Sequence, residues 1–200
     1  MLEVRRLTTK AGGPVDLTVA GGEIVALRGP SGSGKSLLLR AIADLDPAEG
    51  EVLLDGVPRE RIPAPRWRRR VAFVPAESGW WADRVGEHFA DRARAAPLVE
   101  ALGLPPEVFE WEVRRLSTGE RQRLAIARAL ALEPRVWLLD EPTAALDADA
   151  AARVERLMRE GRARGVAILF VTHDAAQARR LADRVLFMEA GRLRAEEAAT

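Results

Sequence analysis

Apolar residues occupy alternate positions from Leu2 to Thr8 and again from Val15 to Val19, the period-two pattern of strands that bury one face. Gly12-Gly13-Pro14 and Gly21-Gly22 predict the turns that follow them. Further along, the pattern changes to short unbroken apolar runs: Ile24 to Leu27, Val71 to Val74, Val136 to Leu139, Val166 to Val171 and Val185 to Met188. Runs of this kind suit strands covered on both faces. Glu51 to Leu54 adds a strand closed by the turn signal Asp55-Gly56. Helical spacing starts at Leu37 and returns from Glu120 to about Leu132, Ala148 to about Arg164 and Ala175 to Leu181. This alternation predicts an α/β fold: a parallel sheet core with an N-terminal antiparallel β-subdomain. From 78 to about 116 the pattern is helical but broken at Ala96-Pro97 and Leu104-Pro105-Pro106. With Trp80, Trp81, Phe89, Phe109 and Trp111, this stretch reads as a small helical subdomain inserted into one domain spanning 1–200. A polar Ala/Glu-rich tail follows Arg194.

Composition narrows the classes. The chain is 48% hydrophobic over 200 residues, enough for one well-buried core. A net charge of +1 gives no global reason to expect nucleic acid or an anionic membrane as partner. Cysteine is absent, which fits a reducing compartment and excludes disulfides and thiolate chemistry. No apolar run is long enough to span a bilayer, and the N-terminal residues lack a signal segment, so a cytoplasmic location is expected. Lysine occurs only at Lys10 and Lys35.

Lys35 lies in the stretch that organises the chain, Gly29-Pro30-Ser31-Gly32-Ser33-Gly34-Lys35-Ser36. It fits the phosphate-cradling pattern G-x-x-x-x-G-K-[ST], with a strand before it and a helix after it. Glycines at 29, 32 and 34 let consecutive N–H groups face one point, and the helix start adds partial positive charge there. Lys35 is placed to reach terminal phosphates, and Ser36 to put its hydroxyl on Mg²⁺. A second signal is Asp140-Glu141, two carboxylates at the end of an apolar strand and hence at the ligand-binding edge of such a sheet. Asp140 is placed to hold Mg²⁺ and Glu141 to polarise an attacking water.

The third signal is Leu116-Ser117-Thr118-Gly119-Glu120-Arg121-Gln122. With Ala145-Leu146-Asp147 after the carboxylates and Thr172-His173-Asp174 after the next strand, the chain resembles the ATP-binding cassette ATPases, the nucleotide-binding subunits of ABC transporters. The resemblance runs over nearly the whole chain. It implies ATP and Mg²⁺ as ligands, with Gly29 to Ser36 and Leu37 binding nucleotide. It implies head-to-tail pairing, as a homodimer or with a second cassette, in which Ser117, Gly119 and Asp147 of one chain close over the ATP held by the other. His173 is expected to contact the γ-phosphate and, with Glu141 and Lys35, to complete the catalytic set. The implied partners are membrane-spanning subunits at the cytoplasmic face of the cell membrane.

Three departures from the family pattern stand out. Ala76, followed by Glu77, takes the place of a glutamine after the Val71–Val74 strand. No aromatic residue precedes Trp67, so the usual platform for adenine is missing. Thr118 replaces a glycine of the signature, and Ala144 a common serine. Trp80 and Trp81 are candidate anchors for the membrane subunit or fillers of the subdomain core, and His88 reads as an ordinary residue of that subdomain. Arg66-Trp67-Arg68-Arg69-Arg70 reads as a solvated surface before a strand. The short helical subdomain leans towards an exporter-type or metal-handling system by analogy. The alternatives are a soluble cassette ATPase acting on DNA or ribosomes, and a small-molecule P-loop kinase. Against the first, this chain shows no tandem second cassette, no long coiled-coil insertion and no overall basic charge, and the second has no use for Leu116 to Glu120 or His173.

Overall fold

The computed structural model describes residues 1–195, so the end of the Ala/Glu-rich tail lies outside the described residues. Two sheets form the frame. A four-stranded antiparallel sheet, ordered β2-β1-β4-β5, holds β1 (Leu2–Thr9), β2 (Gly12–Val19), β4 (Glu49–Leu54) and the two-residue β5 (Val57–Pro58). A six-stranded sheet runs β10-β9-β3-β8-β7-β6. Its members are β3 (Ile24–Arg28), β6 (Val71–Val74), β7 (Val136–Asp140), β8 (Ala167–Val171), β9 (Arg184–Glu189) and β10 (Arg192–Ala195). All neighbours in it are parallel except the β9–β10 edge hairpin.

The apolar runs explain the central strands. Along β3, β7 and β8, alternate side chains enter opposite cores. Val25, Leu27, Val136, Leu138, Ala167, Leu169 and Val171 face the antiparallel sheet and α1 (Lys35–Ile42). Ile24, Ala26, Trp137, Leu139, Ile168 and Phe170 face the other core. That core is covered by α4 (Thr118–Leu130), α5 (Ala148–Ala163), α6 (Ala175–Leu181) and the 78–116 segment.

Register then delivers the chemistry to one edge. Leu27 pairs with Val171, Val171 with Asp140, and Leu139 with Val74. The residues that follow these ends are the glycine loop after β3, Glu141 after β7, His173 after β8 and Ala76 after β6. Motifs scattered through the sequence therefore meet along the carboxyl ends of neighbouring parallel strands.

Several elements differ from the sequence expectation. Gly12-Gly13-Pro14 belongs to β2, and the β1–β2 turn is Lys10-Ala11; Thr9 and Gly12 already pair across the ladder. The arginine-rich stretch is a short helix, α2 (Ala64–Arg70), anchored by Trp67, whose buried indole Nε1 donates to Ile42 O at 2.9 Å. The 78–116 segment has one α-helix, α3 (Arg92–Ala101), and three 3₁₀ turns. Pro97 lies inside α3 instead of breaking it: the Asp91 cap and buried Ala95 and Val99 hold the helix against the lost donor and the ring's clash with the preceding turn. The helix ends at the left-handed Gly103, whose N–H donates to Glu100 O while Leu104 N donates to Val99 O, and Pro105-Pro106 opens the next 3₁₀ turn instead of ending the helix.

Candidate functional site

The glycine loop owes its shape to backbone that only glycine tolerates. Gly29, Gly32 and Gly34 have φ of 146°, 77° and 102°. A Cβ on Gly29 would stand 2.1 Å from Met188 O, and one on Gly34 2.5 Å from the Ala11 side chain. Pro30, Ser31 and Gly32 form the exposed crest, while Ser33 and Lys35 are buried. Lys35 Nζ donates to Gly29 O at 2.9 Å and Pro30 O at 2.8 Å, so the ammonium spans the loop mouth. Burial lowers its pKa, and the charges of Glu141 and Asp140 oppose that shift. The first turn of α1 carries no acidic residue, which leaves its positive end uncompensated.

Asp140 is buried at the end of β7, and α1 packs along that strand. Ser36, exposed on the first turn of α1, and Asp140 thus belong to one edge. Glu141 follows in the left-handed region at φ 49°, its N–H donating to Val171 O. That conformation is costly for a residue with a side chain and persists only where the surroundings enforce it. Glu141 Oε1 lies 3.1 Å from His173 Nε2 and has no aligned hydrogen-bond donor. Burial raises the Glu141 pKa; His173 opposes the rise and Asp140 adds to it. The carboxylate is therefore more basic than usual. Lys35, Asp140, Glu141 and His173 form one electrostatically connected group.

Ser117 and Gly119 belong to the start of α4. Ser117 caps α4, which is why the helix starts at Thr118 and not at Glu120: Ser117 Oγ accepts from Glu120 N, and Glu120 Oε2 accepts from both Ser117 Oγ and Ser117 N. A carboxylate thus occupies the anion-favouring end of α4. A Cβ on Gly119 would lie 3.3 Å from Ala145 O and from Leu146. The signature is therefore seated beside the turn before Asp147, whose side chain caps α5 through Ala150 N. Glu141, Asp147 and His173 line a shared cleft of about 570 Å³.

The departures also find places. Ala76 and Glu77 are both exposed on the loop after β6. Trp67 is a core residue, and the β1–β2 turn presents Ala11, not a ring, to the phosphate loop. Trp80 packs against the core, whereas Trp81 is 72% exposed. His88 is a buried residue of the 78–116 segment, with ring centroids 4.7 Å from Trp80 and 4.4 Å from Trp81. Gln122, quoted with the signature but given no role there, has a buried amide that donates to Pro75 O and links the signature helix to the Ala76 loop. Its signal was one polar residue within the buried face of α4.

A glycine loop, an acidic strand end, a histidine strand end and a capped signature helix around a parallel sheet define a nucleotide-hydrolysing cassette. Residues 13–144 match the ABC transporter family model, and the chain belongs to that family. It is similar to the aliphatic sulfonates import ATP-binding protein SsuB of Pseudomonas putida, with 41% identity over 88% of this chain and 67% of that protein. It is also similar to the sulfate/thiosulfate import ATP-binding protein CysA of Caulobacter vibrioides, with 42% identity over 90% of this chain and 58% of that protein. Among solved structures, it matches a dimeric post-hydrolysis state of the cassette MJ0796 bound to ADP and Pi. There the TM-score is 0.87 at 27% identity, covering 100% of both chains. The chain is the ATP-binding, ATP-hydrolysing subunit of an ABC transporter, a reading that stands over the DNA- or ribosome-associated alternative. No helix among the described residues is long and apolar enough to cross a membrane.

Proposed function

We propose that ATP binds across the Gly29–Leu37 loop and is hydrolysed by Lys35, Glu141 and His173. Lys35 exchanges its bonds to Gly29 O and Pro30 O for the terminal phosphate oxygens. Ionised Glu141 accepts a proton from the attacking water, and His173, in contact with Glu141, holds the γ-phosphate in line. The observation that carries this reading is the 3.1 Å Glu141–His173 contact beside Lys35. One hydroxyl, Ser36, and one carboxylate, Asp140, are a suitable protein contribution to Mg²⁺, which keeps waters and phosphate oxygens as its other ligands. Among the described residues no cluster of three or more acidic or imidazole groups points to a tighter metal cage. Bound Mg²⁺ would neutralise charge on the phosphates.

Ser117, Gly119 and Asp147 act on the partner's nucleotide in a head-to-tail homodimer or heterodimer. For Ser117 to serve a phosphate, Glu120 must give up its two bonds at that position. Residues 78–116 form the subdomain that meets the membrane subunit. A groove of about 340 Å³, lined by Leu45, Phe73, Trp81, His88 and Leu132, supplies the contact, with the Arg128 guanidinium 4.9 Å from both Trp80 and Trp81. Relatives named as importers support uptake at the cytoplasmic face of the membrane, in place of the exporter leaning of the short subdomain. Those names cover sulfonates, sulfate or thiosulfate, and Fe(3+) at 40–42% identity, so the cassette itself does not select the cargo.

Glu141→Gln tests the reading. The variant should bind ATP and run as a dimer on size exclusion with ATP, while hydrolysis falls by about 10²–10⁴-fold, the usual range for losing a general base. A variant that stays monomeric with ATP, or one that still hydrolyses near the parent rate, contradicts it.

A further inference from the structure

Gln177 lies on the inner side of α6, which follows His173, and is 3% exposed. Its Nε2 donates to Thr143 Oγ1 at 2.9 Å and to Glu155 Oε1 at 3.1 Å, so both amide hydrogens are used. Thr143 belongs to the turn between Glu141 and Asp147. In that turn Ala144 N donates to Glu141 O at 3.3 Å, and Leu146 N to Thr143 O at 3.1 Å. Glu155 is buried on α5 and accepts from Arg180 at 2.6 and 3.3 Å and from Arg159 at 3.3 Å. Burial pushes its carboxyl pKa up, but the bonds from Arg180 and Gln177, with the charges of Arg180 and Arg159, hold it below the ordinary value. An ionised, fully partnered buried carboxylate is a fixed anchor. One amide therefore joins the helix after His173, the anchor on α5 and the turn that begins at Glu141.

We propose that Gln177 is a positioning residue for ATP hydrolysis, clamping the Thr143 turn so that Glu141 and His173 keep their contact. The turn needs a clamp because it starts from the strained backbone of Glu141, a conformation that neighbouring groups must impose. Thr143 is the one side chain of the turn that the amide grips. The amide hydrogens of Gln177 go to Thr143 and Glu155, and those of Lys35 to the phosphate loop, so the clamp serves the chemical step and leaves phosphate binding to the loop. The inference rests on Glu141 being the water-activating base.

The test measures kcat and ATP Kd on the full chain for Gln177→Leu, Thr143→Val, the double variant and Thr143→Ser, with Glu141→Gln alongside. In each disrupting variant kcat should fall about tenfold or more while Kd changes by less than about twofold, since small displacements at a reacting centre carry large rate penalties. Thr143→Ser keeps the oxygen and should retain kcat within about twofold. The double variant should match the worse single variant, because both remove the same bond. A Gln177→Leu kcat within about threefold of the parent, a parallel loss of binding and rate, or multiplying effects would overturn the proposal. Thr143 is partly exposed, so Thr143→Val carries the test if Gln177→Leu does not fold. Hydrolysis surviving in Glu141→Gln would refute the base assignment itself, a result separable from failure of the clamp.

Discussion

Glu141 carries two opposing costs at one position: a left-handed backbone and a carboxylate pushed towards protonation by burial. Its raised pKa in the fold means that the unfolded chain loses the proton more readily. Below the ordinary value of 4.5 both states hold the proton and no penalty applies; above the folded value both are ionised and the penalty is complete. Glu141→Gln should therefore raise the Tm near pH 7, with a gain that shrinks towards pH 4; thermal melts across that window check it. A gain that is flat with pH would mean that burial is not the cause. Catalysis shows the same sign. The acid limb of the kcat profile should lie above the ordinary carboxylate value, because hydrolysis needs Glu141 ionised. Much of this was legible in the sequence, since Asp140-Glu141 at a strand end behind a glycine loop has few other uses. The raised pKa was not, because it depends on what β8 and His173 place over the carboxylate.

Among the elements, α5 and the β1–β2 hairpin make the sharpest predictions. Gly161 sits in α5, where alanine ordinarily favours a helix by up to about 1 kcal/mol. Here an added Cβ would stand 2.4 Å from the buried Trp137 ring, and overpacking costs about 1–3 kcal/mol. Gly161→Ala should thus destabilise the chain by about that range in denaturant melts, and a stabilised variant would mean that the ring moves freely. The hairpin presents Ala11 against Gly34, and no aromatic residue precedes Trp67. A missing stack forfeits about 1–3 kcal/mol of nucleotide affinity without distinguishing the bases, and with the phosphate contacts carrying the binding GTP should compete with ATP to within a few-fold in hydrolysis assays. Strong rejection of GTP would reveal another base contact. Pattern reading worked where burial sets the pattern, as in β3, β7 and β8. It failed where a single group decides: Ser117 moves the start of α4, the Asp91 cap and two buried residues keep Pro97 inside α3, and Trp67 turns an arginine run into α2.

At the scale of the molecule, the parallel sheet gathers the phosphate loop, the acids and His173 along one edge, while the signature helix starts beside the Asp147 turn. In the proposed reading the phosphate loop, Asp140, Glu141 and His173 serve the nucleotide of their own chain, while Ser117, Gly119 and Asp147 serve that of a second copy. That division is what the motif order suggested, and it makes pairing part of the chemistry. The most direct test is steady-state ATP hydrolysis by the purified chain as a function of its concentration, with Glu141→Gln as control. Activity per chain should rise with concentration towards a plateau, and the control should be inactive throughout. Activity per chain that is constant down to dilute protein, with the control still silent, would contradict a site completed by a second copy.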